Sequence, residues 1–180
     1  SENCWSHIDA AYGGGMSISN KSPTELTGIT IADSVTIDPH KWFYAPLNAG
    51  VVLVKDHDRL TKSFGIQPPY LTDQSEQKNE RYLFYVHGFE QSKRFRSLKV
   101  WMSLHHYGKK QIGEWIDQNI EQAKHLHQLV GAENIFQSAT EPMMSAICVR
   151  YKTEELSKQQ LSKLHYDVAA RIEGEGRFWF

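Results

Sequence analysis

Short apolar runs rich in β-branched residues dominate the first third of the chain: "CWSHID" (4–9), "DSVTID" (33–38) and "AGVVLVKD" (49–56). Each is too short for an amphipathic helix and is bounded by polar or turn-forming residues, which predicts strands. The Val/Leu run of the third suits a strand buried on both faces. After the first, "AYGGG" (11–15) predicts a turn that needs a close backbone approach or a positive φ. "SPTEL" (22–26) predicts a helix start, with Ser22 as N-cap, Pro23 at the first helical position and Glu25 completing a capping box. Strands joined by such links predict an α/β fold with a largely parallel sheet.

Further along, the period becomes helical. "DRLTKSF" (58–64) predicts a short helix, and residues 65–91, broken by Pro68, Pro69 and Gly88, a long functional or mobile connection. Phe95, Leu98, Trp101, Met102 and His105 share one face of a helix from about Ser92 to Tyr107, which Gly108 stops. A second helix over roughly 109–130 carries Ile112, Trp115, Ile116, Ile120, Ala123 and Val130 at helical spacing. "SAICVRY" (145–151) alternates like a half-buried strand. Ser157 and Gln160 are spaced for a capping box ahead of a last helix carrying Leu161, Leu164, Val168 and Ile172, and the tail from 177 starts another strand. The order predicts two parts: 1–108, from an α/β domain, and 109–180, a connecting helix with the beginning of an α+β domain.

Composition narrows the class. The chain has 180 residues, 40% hydrophobic and 23% charged, with a net charge of -1, which fits a globular fold with a real core. That charge carries no basic footprint for nucleic acid. No apolar run approaches the roughly 20 residues of a bilayer span. Cys4 and Cys148 are far apart and lack zinc or disulfide spacing, which points to a reducing, cytoplasmic compartment. The Ser1 start and the apolar "RFWF" end read as the edges of an internal piece of a larger protein.

The chemistry centres on "TIDPHKW" (36–42). Lys41 stands just past the second strand with Trp42, Phe43 and Tyr44 directly behind it, an unusual frame for a solvated charge. Asp9 ends the first strand. In a parallel sheet the carboxyl ends of strands share one edge, where ligands bind, so the acid and the amine can converge on one pocket. A lysine amine can form a Schiff base with an aldehyde cofactor, and a carboxylate can keep a pyridine nitrogen protonated; pyridoxal 5'-phosphate (PLP) needs both. Pro39 holds Asp38 in extended geometry, and His40 falls near the same edge. Plainer roles stay open on spacing alone: a turn residue for Asp9, a surface charge for Lys41, a structural histidine for His40. His87, His105, His106, His125 and His127 lack metal-site spacing, so no metal is expected.

"HIDAAYGG" (7–14) together with "DSVTIDPHKW" (33–42) resembles the signature of the PLP-dependent group II amino-acid decarboxylases, fold-type I enzymes that include the aromatic-L-amino-acid, glutamate, histidine and diaminobutyrate decarboxylases. "AGVVLVKD" (49–56) and "RFRSLKVWMSLHHYG" (94–108) fit the same family in the same order. The resemblance implies a carboxy-lyase acting on an L-amino acid with PLP. It implies that Lys41 forms the Schiff base, Asp9 partners the pyridine nitrogen, Ala11 packs on the ring, and His40 contacts the phosphate or the Schiff-base region. "PPYL" (68–71) resembles the family's mobile catalytic loop, so Tyr70, together with His40, would help return a proton to Cα. That loop reaches the neighbouring subunit in the family, which implies a homodimer with a shared site. Asn48-Ala49 replaces the Asp-Cys of many bacterial relatives. The phosphate loop, the ring-stacking histidine and the carboxylate-binding arginine have no counterpart within these residues. Two alternatives remain: a non-catalytic dimerisation piece, or another fold-type I reaction such as aldehyde synthesis, against which a Tyr at 70 counts.

Overall fold

The computed structural model describes residues 4–66 and 83–177, with only the backbone of Glu25. It divides into two compact units, Ser1–Ile116 and Asp117–Phe180.

In the first unit, β1 (His7–Asp9), β2 (Ser34–Ile37) and β3 (Val51–Val54) form one sheet in the order β1-β2-β3. β1 and β2 are parallel, with Asp9 directly across from Thr36. β3 runs antiparallel to β2, pairing Val52 with Thr36. The link between β2 and β3 contains no crossover helix, and without one a chain returns antiparallel. The expected continuation of the parallel pattern therefore stops at β2. Nor is β3 buried on both faces in this chain: Val52 and Leu53 are 59% and 53% exposed. Alternation of side chains across the pleat gives the sheet two different faces. Ile8, Ala10, Val35 and Ile37 lie on one and pack with Ala32 and Ile29 into a small apolar core.

The segment between β1 and β2 folds as two 3-10 helices, Gly13–Ile18 and Thr24–Ile31. Ser22 is not the N-cap of the second. Pro23 occupies that position in extended geometry (φ -69°, ψ 151°), and it has no side-chain acceptor to offer. The helix α1 (Asp58–Phe64) follows β3 as expected. A further 3-10 turn at Phe84–His87 lies inside the stretch read as connection, whose residues 67–82, with Pro68, Pro69 and Tyr70, fall outside the described residues.

The helix α2 (Arg96–Ala132) joins the two expected helices, with Gly108 (φ 76°, ψ 160°) as a non-helical break between them. Its second half is amphipathic as predicted: Ile112 and Ile116 are fully buried, and Ile120, Ala123 and Val130 nearly so. Its first half differs, because Leu98, Trp101 and Met102 are exposed.

In the second unit, β4 (Phe136–Ser138) and β5 (Val149–Tyr151) form an antiparallel pair, and α3 (Lys158–Gly174) follows. β4 was not foreseen. β5 is shorter than expected and exposed at all three positions rather than half-buried. The capping box of α3 forms as expected: Gln160 N donates to Ser157 Oγ (3.3 Å) and Ser157 N to Gln160 Oε1 (2.9 Å). The tail strand expected from 177 lies almost wholly outside the described residues. No described helix is long and apolar enough to cross a membrane.

Candidate active site

The carboxyl ends of β1 and β2 are laced together past their formal limits. Ala10 N donates to Thr36 O (2.9 Å), and Asp38 N donates to Ala11 O (3.0 Å). This lacing binds the "DAA" step of the first motif to the "DPHK" step of the second. Gly14 and Gly15 let the following turn lie against it. A Cβ on Gly14 would stand 2.9 Å from Ile37 Cγ1, and one on Gly15 only 2.6 Å from Trp42 Cβ. Close approach, not a positive φ, is what these glycines permit. The rings of Tyr12 and Trp42, one from each motif, meet at 4.3 Å between centroids.

Asp9 is the last residue of β1. Its Oδ1 accepts a hydrogen bond from Ala11 N at 3.0 Å, which fixes the carboxylate against its own backbone. Oδ2 has no partner among the described residues, and the residue is exposed. Ala11, half-buried, presents only a methyl group beside it.

Lys41 closes a turn that begins at Asp38. Its N donates to Asp38 O (2.9 Å), with Pro39 at the second position, where its fixed φ suits the turn. The same spacing brings Lys41 Nζ to 3.0 Å from Asp38 Oδ2, with the two side chains 40% and 22% exposed. So open an ion pair adds little stability; its effect is to fix where Nζ lies. Sequence reasoning treated Asp38 only as a strand exit. The signal that could have found the pair is Asp at the first position of a Pro turn with Lys three residues on.

His40 turns toward the 45–50 loop. Its Nδ1 lies 2.6 Å from Ala49 O and 3.2 Å from Ala49 N. The shorter contact requires an N–H, so the network assigns Nδ1 as donor and leaves Nε2 for another partner. Ala49, buried, is thus the backbone anchor of His40. Tyr44 N donates to Lys41 O (3.2 Å), and the Tyr44 ring meets Trp115 of α2 edge-on at 5.2 Å. Burial, and secondarily Tyr12, raise the Tyr44 pKa above its ordinary 10.0.

His87, His105, His106, His125 and His127 are not part of any metal-ligating group among the described residues. Among the described residues that geometry occurs at Asp56, His57 and Asp58, all exposed. His127 instead bonds Ser138 Oγ (2.9 Å), and His105 stacks on Trp101.

The paired motifs, an amine and a carboxylate at one sheet edge, agree with a match to known proteins. A family model described as the pyridoxal-dependent decarboxylase conserved domain matches residues 1–152. The chain belongs to that family. An aromatic-L-amino-acid decarboxylase of Bacillus atrophaeus is 34% identical over 176 residues, 97% of this chain and 37% of the relative. A phenylacetaldehyde synthase of Arabidopsis thaliana is 28% identical over 179 residues, 99% of this chain and 36% of the relative. The Oryza sativa TDC structure with PLP and tryptamine is similar at a TM-score of 0.88 and 26% identity, over 98% of this chain and 37% of that one. The chain thus spans little more than a third of the length of these decarboxylase-family relatives. The likeness places it in fold-type I, with a mixed helix and sheet architecture.

Proposed function

We propose that this chain forms part of a PLP-dependent carboxy-lyase that converts an L-amino acid to its amine and CO2. The observation that carries the reading is the laced edge of β1 and β2, which presents the Asp9 carboxylate and the Lys41 amine on adjacent strand ends.

The residues present fit PLP. Asp9 has one oxygen held by Ala11 N and the other open, as a partner for a pyridine nitrogen requires. Lys41 offers a primary amine at the same edge, and Ala11 leaves room for a flat ring. When bound, PLP supplies an aldehyde that an amine can capture and a pyridinium that accepts the electron pair left at Cα as CO2 departs. Asp9, oriented by its bond to Ala11 N, would hold the ring nitrogen in its protonated form. Lys41 would hold the cofactor's aldehyde through its amine, for which Nζ must leave Asp38. His40, anchored through Nδ1, keeps Nε2 out of that bond and would contact the phosphate or the Schiff-base region. Tyr70, with His40, would help return a proton to Cα.

The surrounding assignments follow from the same reading. Residues 1–108 belong to the PLP-binding large domain, and 109–180 to a connecting helix and part of a small domain. The assembly is a homodimer; the exposed Leu98, Trp101 and Met102 face supports a further interface. The compartment is cytoplasmic, supported by two free, exposed cysteines, Cys4 and Cys148. Aldehyde formation is the second reading, favoured by the likeness to the Arabidopsis synthase. An amine as product supports decarboxylation, and an aldehyde supports the alternative.

The first test is to titrate the chain with PLP, reduce it with borohydride and map the adduct by mass spectrometry. A pyridoxyl group concentrated on Lys41, and absent in Lys41→Ala, is expected. Label scattered over surface lysines would overturn the assignment of Lys41.

A further inference from the structure

The sheet face opposite the apolar core carries a chain of hydrogen bonds. His7 and Asp9 lie on this face of β1, and their β2 partners are Ser34 and Thr36. Trp5 Nε1 donates to Ser34 Oγ (2.9 Å). Ser34 Oγ lies 2.8 Å from His7 Nδ1, and His7 Nε2 lies 3.3 Å from Thr36 Oγ1. The imidazole therefore bridges the two hydroxyls of β2 that flank it, and the second belongs to the residue directly across from Asp9.

Chemistry fixes the first donor of the chain. An indole N–H only donates, so Ser34 Oγ accepts from Trp5. Ser34 Oγ keeps a second lone pair and its own proton, and Thr36 Oγ1 is likewise both donor and acceptor, so either neutral tautomer of His7 satisfies both contacts and the bridge holds in each. Two features make the chain a fixed brace. Ser34 is 7% exposed although polar, and a buried hydroxyl is retained where its bonds are satisfied. Arg59 of α1 lies 6.0 Å over the Trp5 ring, which holds the indole that starts the chain.

We propose that His7 is a positioning residue for Asp9. It locks β1 to β2 at the pair of residues just before Asp9 and Thr36, and so holds the strand end that presents the Asp9 carboxylate to the pyridine nitrogen in one place. This rests on the reading of Asp9 as partner of that nitrogen. The effect acts through Asp9, because His7 bonds to β2 hydroxyls and not to the cofactor's place at the sheet edge.

The test uses the PLP-loaded protein with nitrogen-15 in the cofactor ring, whose chemical shift reports protonation of the ring nitrogen. Variants are His7→Phe, His7→Gln, Thr36→Val and Asp9→Asn. Gln offers both a donor and an acceptor and can restore a polar bridge to β2, and Val keeps the shape and strand preference of Thr36. His7→Phe and Thr36→Val should both move the shift toward the unprotonated value and lower kcat roughly tenfold at little change in KM, with His7→Gln recovering most of both. A shift that moves in Asp9→Asn but in neither His7→Phe nor Thr36→Val would overturn the positioning role alone. A shift unmoved in Asp9→Asn would overturn the underlying reading of Asp9. If His7→Phe does not fold, Thr36→Val decides.

Discussion

Tyr44 lies three residues after Lys41 with a left-handed φ of 54°, a region that bulky side chains avoid at a cost of about 1–3 kcal/mol. Its N–H bonds the Lys41 carbonyl and its ring is held against Trp115, so local contacts over-determine the strained conformation that shapes the exit from the lysine turn. Burial first, then Tyr12, raise its pKa above 10.0. The neutral phenol is thus the favoured form in the fold. Its contribution is fully present below pH 10 and is lost as pH rises through the higher folded-state pKa. In denaturant titrations, the stability advantage of the native protein over Tyr44→Phe should shrink above that pH. A difference that stays level from about pH 9 to about pH 11 would remove the argument. None of this was legible in the sequence, because propensity assigns positive φ to Gly or Asn and says nothing of a tyrosine held there by contacts. The same limit hid Asp38 and His7. Strand-end position marks Asp9 and Lys41 directly, whereas the Asp38–Lys41 pair and the His7 bridge exist only once a turn closes or two strands align.

At the scale of elements, the break in α2 separates two ways in which glycine is required. A Cβ at Gly108 would meet nothing within 4 Å, so space is not the constraint there. Its φ of 76° and ψ of 160° are the constraint, since that region is essentially closed to other residues. Gly131 of the same helix also has open space but no positive φ, which makes it the control. Gly108→Ala should destabilise by about 1–3 kcal/mol, and Gly131→Ala should be neutral or stabilise by up to about 1 kcal/mol, read from urea midpoints. Equal effects at the two positions would mean that the break is not imposed by the backbone. Element type was readable where local chemistry decides it. The Ser157–Gln160 box and the Ile112–Ile116 stripe both form as written in the sequence. Strand direction was not readable, because the Val/Leu run of β3 is the same in either sense and only the missing crossover helix makes it antiparallel. β4 was missed because "FQS" is three residues long and has no alternation to detect.

At the scale of the whole molecule, the proposal that Tyr70 serves a neighbouring subunit has a consequence that no single variant reveals. Lys41→Ala removes the amine from a subunit's own site but leaves its Tyr70 intact for the partner. Tyr70→Phe does the reverse. Each variant alone should be nearly inactive in amine formation. Mixed and allowed to exchange subunits, half of the dimers become heterodimers, and one site in each then combines a native Lys41 with a native Tyr70 from across the interface. Activity should return to roughly a quarter of the native value as a ceiling, at a rate set by subunit exchange and not by folding. If both variants sediment as dimers, exchange freely and still regain nothing, the tyrosine acts within its own subunit. The exposed first half of α2 enters the same experiment. Trp101→Glu in both partners places a charge on an apolar face that is 59% exposed in this chain. If that face contributes to the dimer, exchange accelerates and the recovered activity becomes dependent on protein concentration. If the face packs inside the subunit, Trp101→Glu lowers the unfolding midpoint of the mixture and leaves exchange unchanged.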